Sequence, residues 1–123
     1  MQKSLKIFQC HCFEKDLKEI SKKIKNFDFK KFLYKELFRD IFYANLSFST
    51  LLFEEEPYKI FKKRINDPSG SKGKRGGLRL IWAYHTEEKA VILIRLYRKS
   101  EIENIPTYQL KENFLNCLEE KET

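Results

Sequence analysis

The sequence predicts a small α+β domain in which an N-terminal strand and two helices pack on one face of an antiparallel-cored sheet. Two observations support this expectation. Apolar residues recur at helical spacing between residues 13 and 41, and three strand-like segments follow Pro57. A chain of 123 residues suits one hydrophobic core, so residues 1–123 are expected to form a single domain.

The N-terminal third is predicted to contain one strand and two amphipathic helices. Residues 4–12 mix apolar and polar side chains in a pattern typical of a strand. Steps of four and three then place one set of apolar residues on a single helical face: Phe13, Leu17, Ile20, Ile24 and Phe27. Asp28 can accept a backbone N–H at the start of a second helix. The apolar face of that helix comprises Phe29, Phe32, Leu33, Leu37 and Ile41.

The remainder of the chain is predicted to be mainly sheet. Periodicity does not decide whether residues 46–56 form a strand, a helix extension or a covering loop. Three strands are expected at 58–66, 78–84 and 90–98, and the short turn between the last two favours a hairpin. Five apolar residues after Pro106 indicate a short C-terminal helix: Tyr108, Leu110, Phe114, Leu115 and Leu118. The predicted order is β, α, α, β, β, β, α.

Positive charge is concentrated in one segment. The formal net charge is +7, yet residues 57–100 alone hold 12 Lys/Arg against 3 Asp/Glu, and residues 101–123 hold 2 against 6. A field this uneven favours a binding surface for a polyanion over a uniformly solvated exterior. A merely solvated sheet face is the alternative interpretation.

The three cysteines do not indicate a disulfide framework. An odd count with Cys10 and Cys12 in one apolar run favours buried thiols and a reducing compartment. A metal site at Cys10, His11 and Cys12 is not expected, because neighbouring strand residues point to opposite faces and only His85 and Cys117 remain as distant ligands. No signal peptide or membrane span is evident, so a cytoplasmic protein without membrane contact is expected. No cofactor is expected.

Strand alternation predicts an open cationic face. Ile92, Ile94 and Leu96 are expected to face the helices, with Leu93, Arg95, Tyr97 and Lys99 on the other side. The same alternation separates Lys62 and Arg64 from Phe61 and Ile65, and Arg79 from Leu78, Leu80 and Trp82. Trp82 is expected in the core. The loop DPSGSKGKRGG adds Lys72, Lys74 and Arg75. Its spacing does not fit a nucleotide-binding P-loop.

Three strings in this half of the chain resemble a known family. KKRIN, GKRGGLRLIW and LIRLYRKSEIENI are similar to the strand signatures of RelE/ParE-superfamily toxins, nearest the HigB-like branch, across residues 58–112. The most specific parts are the Gly-Lys-x-Gly-Gly-x-Arg string from Gly73 to Arg79 and the Tyr-x-Lys-Ser string from Tyr97 to Ser100. Arg75 departs from the frequent Ser, and the stretch 46–56 does not align.

The resemblance implies a RelE-like fold, cleavage of messenger RNA on the ribosome, and a tightly bound antitoxin. Cleavage needs a proton acceptor for the ribose 2′-OH, stabilisation of the phosphorane charge and a proton for the 5′-oxygen. Arg79 is expected to stabilise the phosphate, Arg64 to assist it, and Lys62 or Lys99 to transfer the proton. Additional RNA contacts are expected from Lys63, Lys72, Lys74, Arg75, Arg95, Tyr97 and Tyr108, the tyrosines by stacking.

Two other functions stay open. A toxin of the same fold can poison DNA gyrase through protein contacts, as the ParE branch does, and the predicted helical pair permits this. A non-catalytic RNA- or protein-binding member of the fold is the third hypothesis. Mapping of RNA 5′ ends after induction distinguishes the three.

Overall fold

A computed structural model describes residues 6–23, 28–42, 49–66, 77–102 and 104–122, without the side chains of residues 40 and 42. Within these ranges the chain forms three helices and one five-stranded sheet, an α+β fold. The strands are β1 (Lys6–Gln9), β2 (Ser49–Glu55), β3 (Tyr58–Ile65), β4 (Leu78–His85) and β5 (Ala90–Arg98). The helices are α1 (His11–Lys23), α2 (Phe29–Phe42) and α3 (Thr107–Glu122).

The sheet has the order β1-β5-β4-β3-β2, and its core is antiparallel as predicted. Strand β1 joins the edge of β5 in parallel, whereas β2 to β5 pair antiparallel in succession. The sequence does not decide the structure of residues 46–56; in the structure this segment contributes β2. The chain then turns back into β3 through the cis peptide bond between Glu56 and Pro57.

The predicted helical faces form much of the core. Phe13, Leu17 and Ile20 of α1 are buried, as are Phe29, Leu33 and Leu37 of α2. Ile24 and Phe27 lie outside the described residues. Trp82 is fully buried and stacks on Phe61 with ring centroids 4.8 Å apart, which confirms its place in the core.

Helices α2 and α3 cover opposite faces of the sheet. Glu36 of α2 pairs with the buried Lys63 of β3, whereas Phe114 of α3 meets the ring of Tyr58 at 5.3 Å. Residues 58 and 63 of one strand have opposite parity and therefore point to opposite faces. With 16 residues, α3 is longer than the short helix predicted.

A β-bulge reverses the predicted alternation at the start of β5. Arg95 pairs with Ile81, but Leu93 pairs with Trp82, so one extra residue interrupts the ladder. Leu93 consequently shares a face with Trp82, and Ile92 shares one with Ala83. The expectation that Ile92 faces the opposite side from Arg95 is therefore wrong, because a bulge breaks the period of two.

Candidate phosphate-binding cleft

Strand register aligns three candidate site residues across the sheet. Arg64 of β3 lies opposite Arg79 of β4, which in turn lies opposite Tyr97 of β5. Directly paired residues of antiparallel strands project from the same face. Lys62 lies two positions before Arg64 and shares that face, while Lys99 follows the end of β5.

These side chains border an open cleft on the α3 side of the sheet. Its volume is about 400 Å³, within the range of about 300–1,000 Å³ common for ligand sites. Among the described residues, five side chains line it: Lys62, Arg79, Tyr97, Lys99 and Asn104. Three of the four predicted catalytic residues thus meet in one place, with the exposed Arg64 beside Arg79 on the neighbouring strand.

Asn104 was not predicted as a site residue. It lies between β5 and α3, where the chain leaves the sheet. A side-chain amide in a loop carries no charge pattern or periodicity, and its approach to the cleft depends on the path of the chain. Its amide NH2 group can donate to a phosphate or ribose oxygen, and its carbonyl oxygen can accept from a ribose hydroxyl group.

Arg79 supplies a partly desolvated cation at the centre of the cleft. Only 8% of the residue is exposed, and its guanidinium donates to the backbone oxygen of Leu78 at 3.1 Å. Burial, followed by the nearby charge of Arg64, lowers the pKa of Arg79 from its usual value. A guanidinium stays protonated in proteins nonetheless. Its charge is therefore poorly solvated, which strengthens its attraction for an anion.

The charges of the cleft are not neutralised by acidic side chains in the described part of the chain. The ion pairs there involve neither Lys62, nor Arg79, nor Lys99. Like charges brought together on one rigid sheet repel one another, so a bound anion relieves that repulsion. The arrangement is suited to a phosphodiester.

Tyr97 provides a hydroxyl group rather than a stacking surface. The residue is 4% exposed, so its ring offers almost no area to a nucleobase, contrary to the expected stacking role. Burial raises the pKa of Tyr97 against the opposing influence of the Arg79 and Arg95 charges. The phenol therefore keeps its proton at neutral pH and can donate a hydrogen bond into the cleft.

Lys63 does not lie on the open face. It is 1% exposed, and its ammonium group lies 3.8 Å from Glu36 of α2, on the opposite side of the sheet from Lys62. The expectation that Lys63 contacts RNA is therefore wrong. Its charge is satisfied inside the protein.

Arg95 is on the cleft face but is held by two helices. Its guanidinium donates to Asp16 of α1 at 2.7 and 3.3 Å and to Asn113 of α3 at 3.4 Å. Burial acts to lower the pKa of Arg95, but the hydrogen bond and charge of Asp16 outweigh it and the pKa is raised. This engagement gives Arg95 a structural role in place of the expected RNA contact.

Of the other expected RNA contacts, Tyr108 is described and does not line the cleft. Tyr108 is 74% exposed on the first turn of α3. Lys72, Lys74 and Arg75 lie outside the described residues.

The expectation of buried thiols without a disulfide is wrong for Cys10 and Cys117. A disulfide bond joins Cys10 to Cys117 of α3, and both are fully buried. Cys12 is a half-buried free thiol that donates to the backbone oxygen of Ile94 at 3.0 Å. Burial is the main cause that raises the pKa of Cys12, so this thiol is protonated at neutral pH.

None of the described helices is long and apolar enough to cross a membrane. The chain matches no protein-family model and no curated protein.

Proposed function

We propose that the protein is a type II toxin of the RelE/ParE superfamily that cleaves messenger RNA on the ribosome. In this proposal the cleft between β3, β4 and β5 is an endoribonuclease site that needs no metal ion. The resemblance of residues 58–112 to the family supports the proposal from the sequence. The single observation that carries it is the convergence of Lys62, Arg79 and Lys99 on one cleft.

The proposed reaction is an internal transfer of the phosphoryl group. The ribose 2′-oxygen attacks the adjacent phosphorus, the bond to the 5′-oxygen breaks, and the products are a 2′,3′-cyclic phosphate and a 5′-hydroxyl end. One group must accept the 2′-OH proton, another must stabilise the extra negative charge, and a third must protonate the leaving oxygen. All three demands can be met by side chains.

Arg79 is assigned to the phosphate oxygens. Its strand lies between β3 and β5, so its guanidinium is at the middle of the lining. A planar guanidinium can contact two phosphate oxygens at once. Arg64, opposite Arg79 in the register, adds positive charge from the solvent side.

Lys62 and Lys99 are assigned to proton transfer. They belong to β3 and to the end of β5, and therefore approach the cleft from either side of Arg79 on β4. In-line displacement places the attacking and leaving oxygens on opposite sides of phosphorus. Two proton-transferring groups flanking one phosphate-binding arginine match that geometry. Tyr97 and Asn104 then orient the ribose and phosphate oxygens.

The proposal includes the partners and the location of such a toxin. The ribosome presents the mRNA, and the activity belongs to the cytoplasm. A cognate antitoxin would require an acidic segment to cover the cationic cleft, and folding of that segment upon binding would add specificity.

Mapping of RNA 5′-hydroxyl ends after induction in bacterial cells tests the proposal. The wild type should stop growth and produce cuts in phase with codons, whereas Lys62→Ala and Lys99→Ala should not. Lys59→Ala is the matched control, because Lys59 is an exposed cation of the same strand, paired with Glu54 at 3.9 Å. A DNA-damage response with intact mRNA would instead indicate gyrase poisoning, and neither effect would indicate a non-catalytic protein.

A further inference from the structure

The junction of β1, α1 and α3 gathers every cysteine of the chain. Cys10 follows β1, Cys12 lies in the first turn of α1, and Cys117 belongs to α3. Their Sγ atoms all lie within 4.8 Å of one another. Three sulfur atoms from separate elements thus share one small volume, although 107 positions separate Cys10 from Cys117.

The expectation against a metal site rested on the assumption that Cys10, His11 and Cys12 belong to one strand, in which neighbouring side chains point to opposite faces. The structure removes that assumption, because the backbone oxygen of Cys10 accepts the first hydrogen bond of α1, from Glu14 at 3.0 Å. Cys12 lies in the first turn of α1, and its Sγ atom is within 4.8 Å of the Sγ atom of Cys10. Cys117 then completes the group from α3.

We propose that the reduced protein binds one Zn²⁺ ion through the thiolates of Cys10, Cys12 and Cys117. Zinc–thiolate bonds of about 2.3 Å in a tetrahedral site place the sulfur atoms about 3.8 Å apart. The Cα atoms of Cys10 and Cys117 are 5.3 Å apart, so side-chain rotation after reduction can separate their sulfur atoms by that amount. The half-buried Cys12 leaves a side through which the ion enters and a fourth ligand, such as water, can bind.

The donor set selects the class of metal. Among the described residues this group contains only cysteines, and thiolates prefer Zn²⁺ or Cu⁺ over Mg²⁺ and Ca²⁺. Three thiolates leave a net charge of −1 with Zn²⁺ but −2 with Cu⁺. Since Cys10 and Cys117 are fully buried, the smaller net charge is less costly to accommodate.

Binding and disulfide formation exclude each other at this site. A dithiol reductant supplies two electrons and two protons to the bond between Cys10 and Cys117 and is itself oxidised to a disulfide. The ion then displaces three thiol protons, including the one that Cys12 donates to Ile94. The oxidised protein retains only the Cys12 thiol and lacks the site.

Zinc titration against a chromophoric chelator, with the full chain reduced and free of oxygen, tests the proposal. The reduced wild type should bind about one Zn²⁺, and Co²⁺ in its place should give a thiolate charge-transfer band. Cys12→Ser should weaken Zn²⁺ binding by at least ~100-fold, since loss of an outer-sphere partner alone costs up to that much. This variant keeps Cys10 and Cys117, so its folding can be checked in the oxidised state by circular dichroism.

His11→Ala is the matched control, because His11 is exposed and lies between the two N-terminal cysteines. This variant should bind Zn²⁺ like the wild type. The proposal is overturned if the reduced wild type binds no Zn²⁺, if Cys12→Ser titrates like the wild type, or if the oxidised protein binds equally well. None of these measurements depends on RNA cleavage, so they stand apart from the proposed function.

Discussion

Arg79 reaches the cleft because of its register. It lies between Arg64 and Tyr97 on adjacent strands, in the part of the sheet that α3 leaves open. Strand alternation alone separates Arg79 from Leu78 and Leu80, which is why the sequence predicts its orientation. Burial reduces the solvation of its charge, which strengthens the attraction of Arg79 for an anion.

Replacing Arg79 by alanine should nearly eliminate RNA cleavage. Removal of one donor to a developing oxyanion typically lowers the rate by about 100- to 1,000-fold. The reaction is measured with purified protein, translating ribosomes and a defined mRNA, and thermal unfolding is recorded beside it. A folded Arg79→Ala variant with full activity, or an equal loss in Lys59→Ala, would remove Arg79 from the proposed mechanism.

Asp16 is expected to be a stabilising residue outside the cleft. Its carboxylate accepts from the Arg95 guanidinium at 2.7 Å and from the backbone N–H of Leu96 at 2.9 Å. Asp16→Ala leaves both donors without their partner and should lower the free energy of unfolding by about 2–4 kcal/mol. Urea denaturation measures this change.

The control for Asp16 is Glu19→Ala on the same helix. Glu19 forms an exposed pair with Lys22, and such pairs contribute only about 0–1 kcal/mol. Equal losses in the two variants would show that Asp16 has no special part in joining α1 to β5.

Charge and strand alternation predict some residues of the cleft and not others. Lys62, Arg79 and Lys99 were predicted, because alternation and cationic character coincide there. Charge alone predicts Lys63 as an RNA contact. Its parity in the strand matches the apolar Phe61 and Ile65, and it is buried with them. The link between Arg95 and Asp16 was not predicted, because no local pattern reports a pairing 79 positions apart.

The periodicity of the sequence does not identify β2 as a strand. Its pairing with β3 shifts register between Leu51 and Phe53, so the apolar residues do not alternate. A strand with such a shift has no period of two and could not be told from a helix or a loop. The helical pattern in the sequence begins at Phe13, whereas α1 begins at His11. Apolar cysteines suit a strand or a helix equally, so the pattern does not locate this boundary.

Helix α3 should depend on one aromatic anchor. Phe114 is 1% exposed and meets Tyr58 and Phe53 edge to face, at 5.3 and 6.5 Å between ring centroids. Phe114→Ala should therefore lower the free energy of unfolding by about 3–5 kcal/mol. The change is measured by denaturant unfolding.

The neighbouring residue of α3 supplies the control. Leu115 is 57% exposed, so Leu115→Ala should change stability by no more than about 0.5 kcal/mol. A similar loss in both variants would contradict the docking of α3 through Phe114. It would also mean that the packing of α3 through Phe114 does not set the edge of the cleft.

The whole molecule combines a strongly basic segment with a net-acidic C-terminal region. Folding places three cations of the basic segment, those of the cleft, in the part of the sheet beside α3. The sequence predicts the class of fold and the character of this surface. It does not predict the boundary of the cleft, because that depends on where α3 packs and where Asn104 lies.

Binding of a short single-stranded RNA should weaken steeply with salt. Three phosphate contacts, from Lys62, Arg79 and Lys99, predict a slope of about −2 in a plot of log affinity against log salt. Lys62→Ala should make that slope shallower by about 0.7, whereas Lys59→Ala should leave it unchanged. Fluorescence anisotropy measures both. A salt-independent affinity, or the same slope in all three proteins, would contradict phosphate binding in the cleft.

The most direct test of the cleft as a ribonuclease site is end mapping in a purified translation system with one defined mRNA. The wild type should produce codon-phased fragments with 5′-hydroxyl and 2′,3′-cyclic phosphate ends, only when ribosomes are present. Lys62→Ala, Lys99→Ala and Arg79→Ala should produce few or none, and Lys59→Ala should match the wild type. Intact mRNA with the folded wild type, or equal cleavage by every variant, would contradict the account.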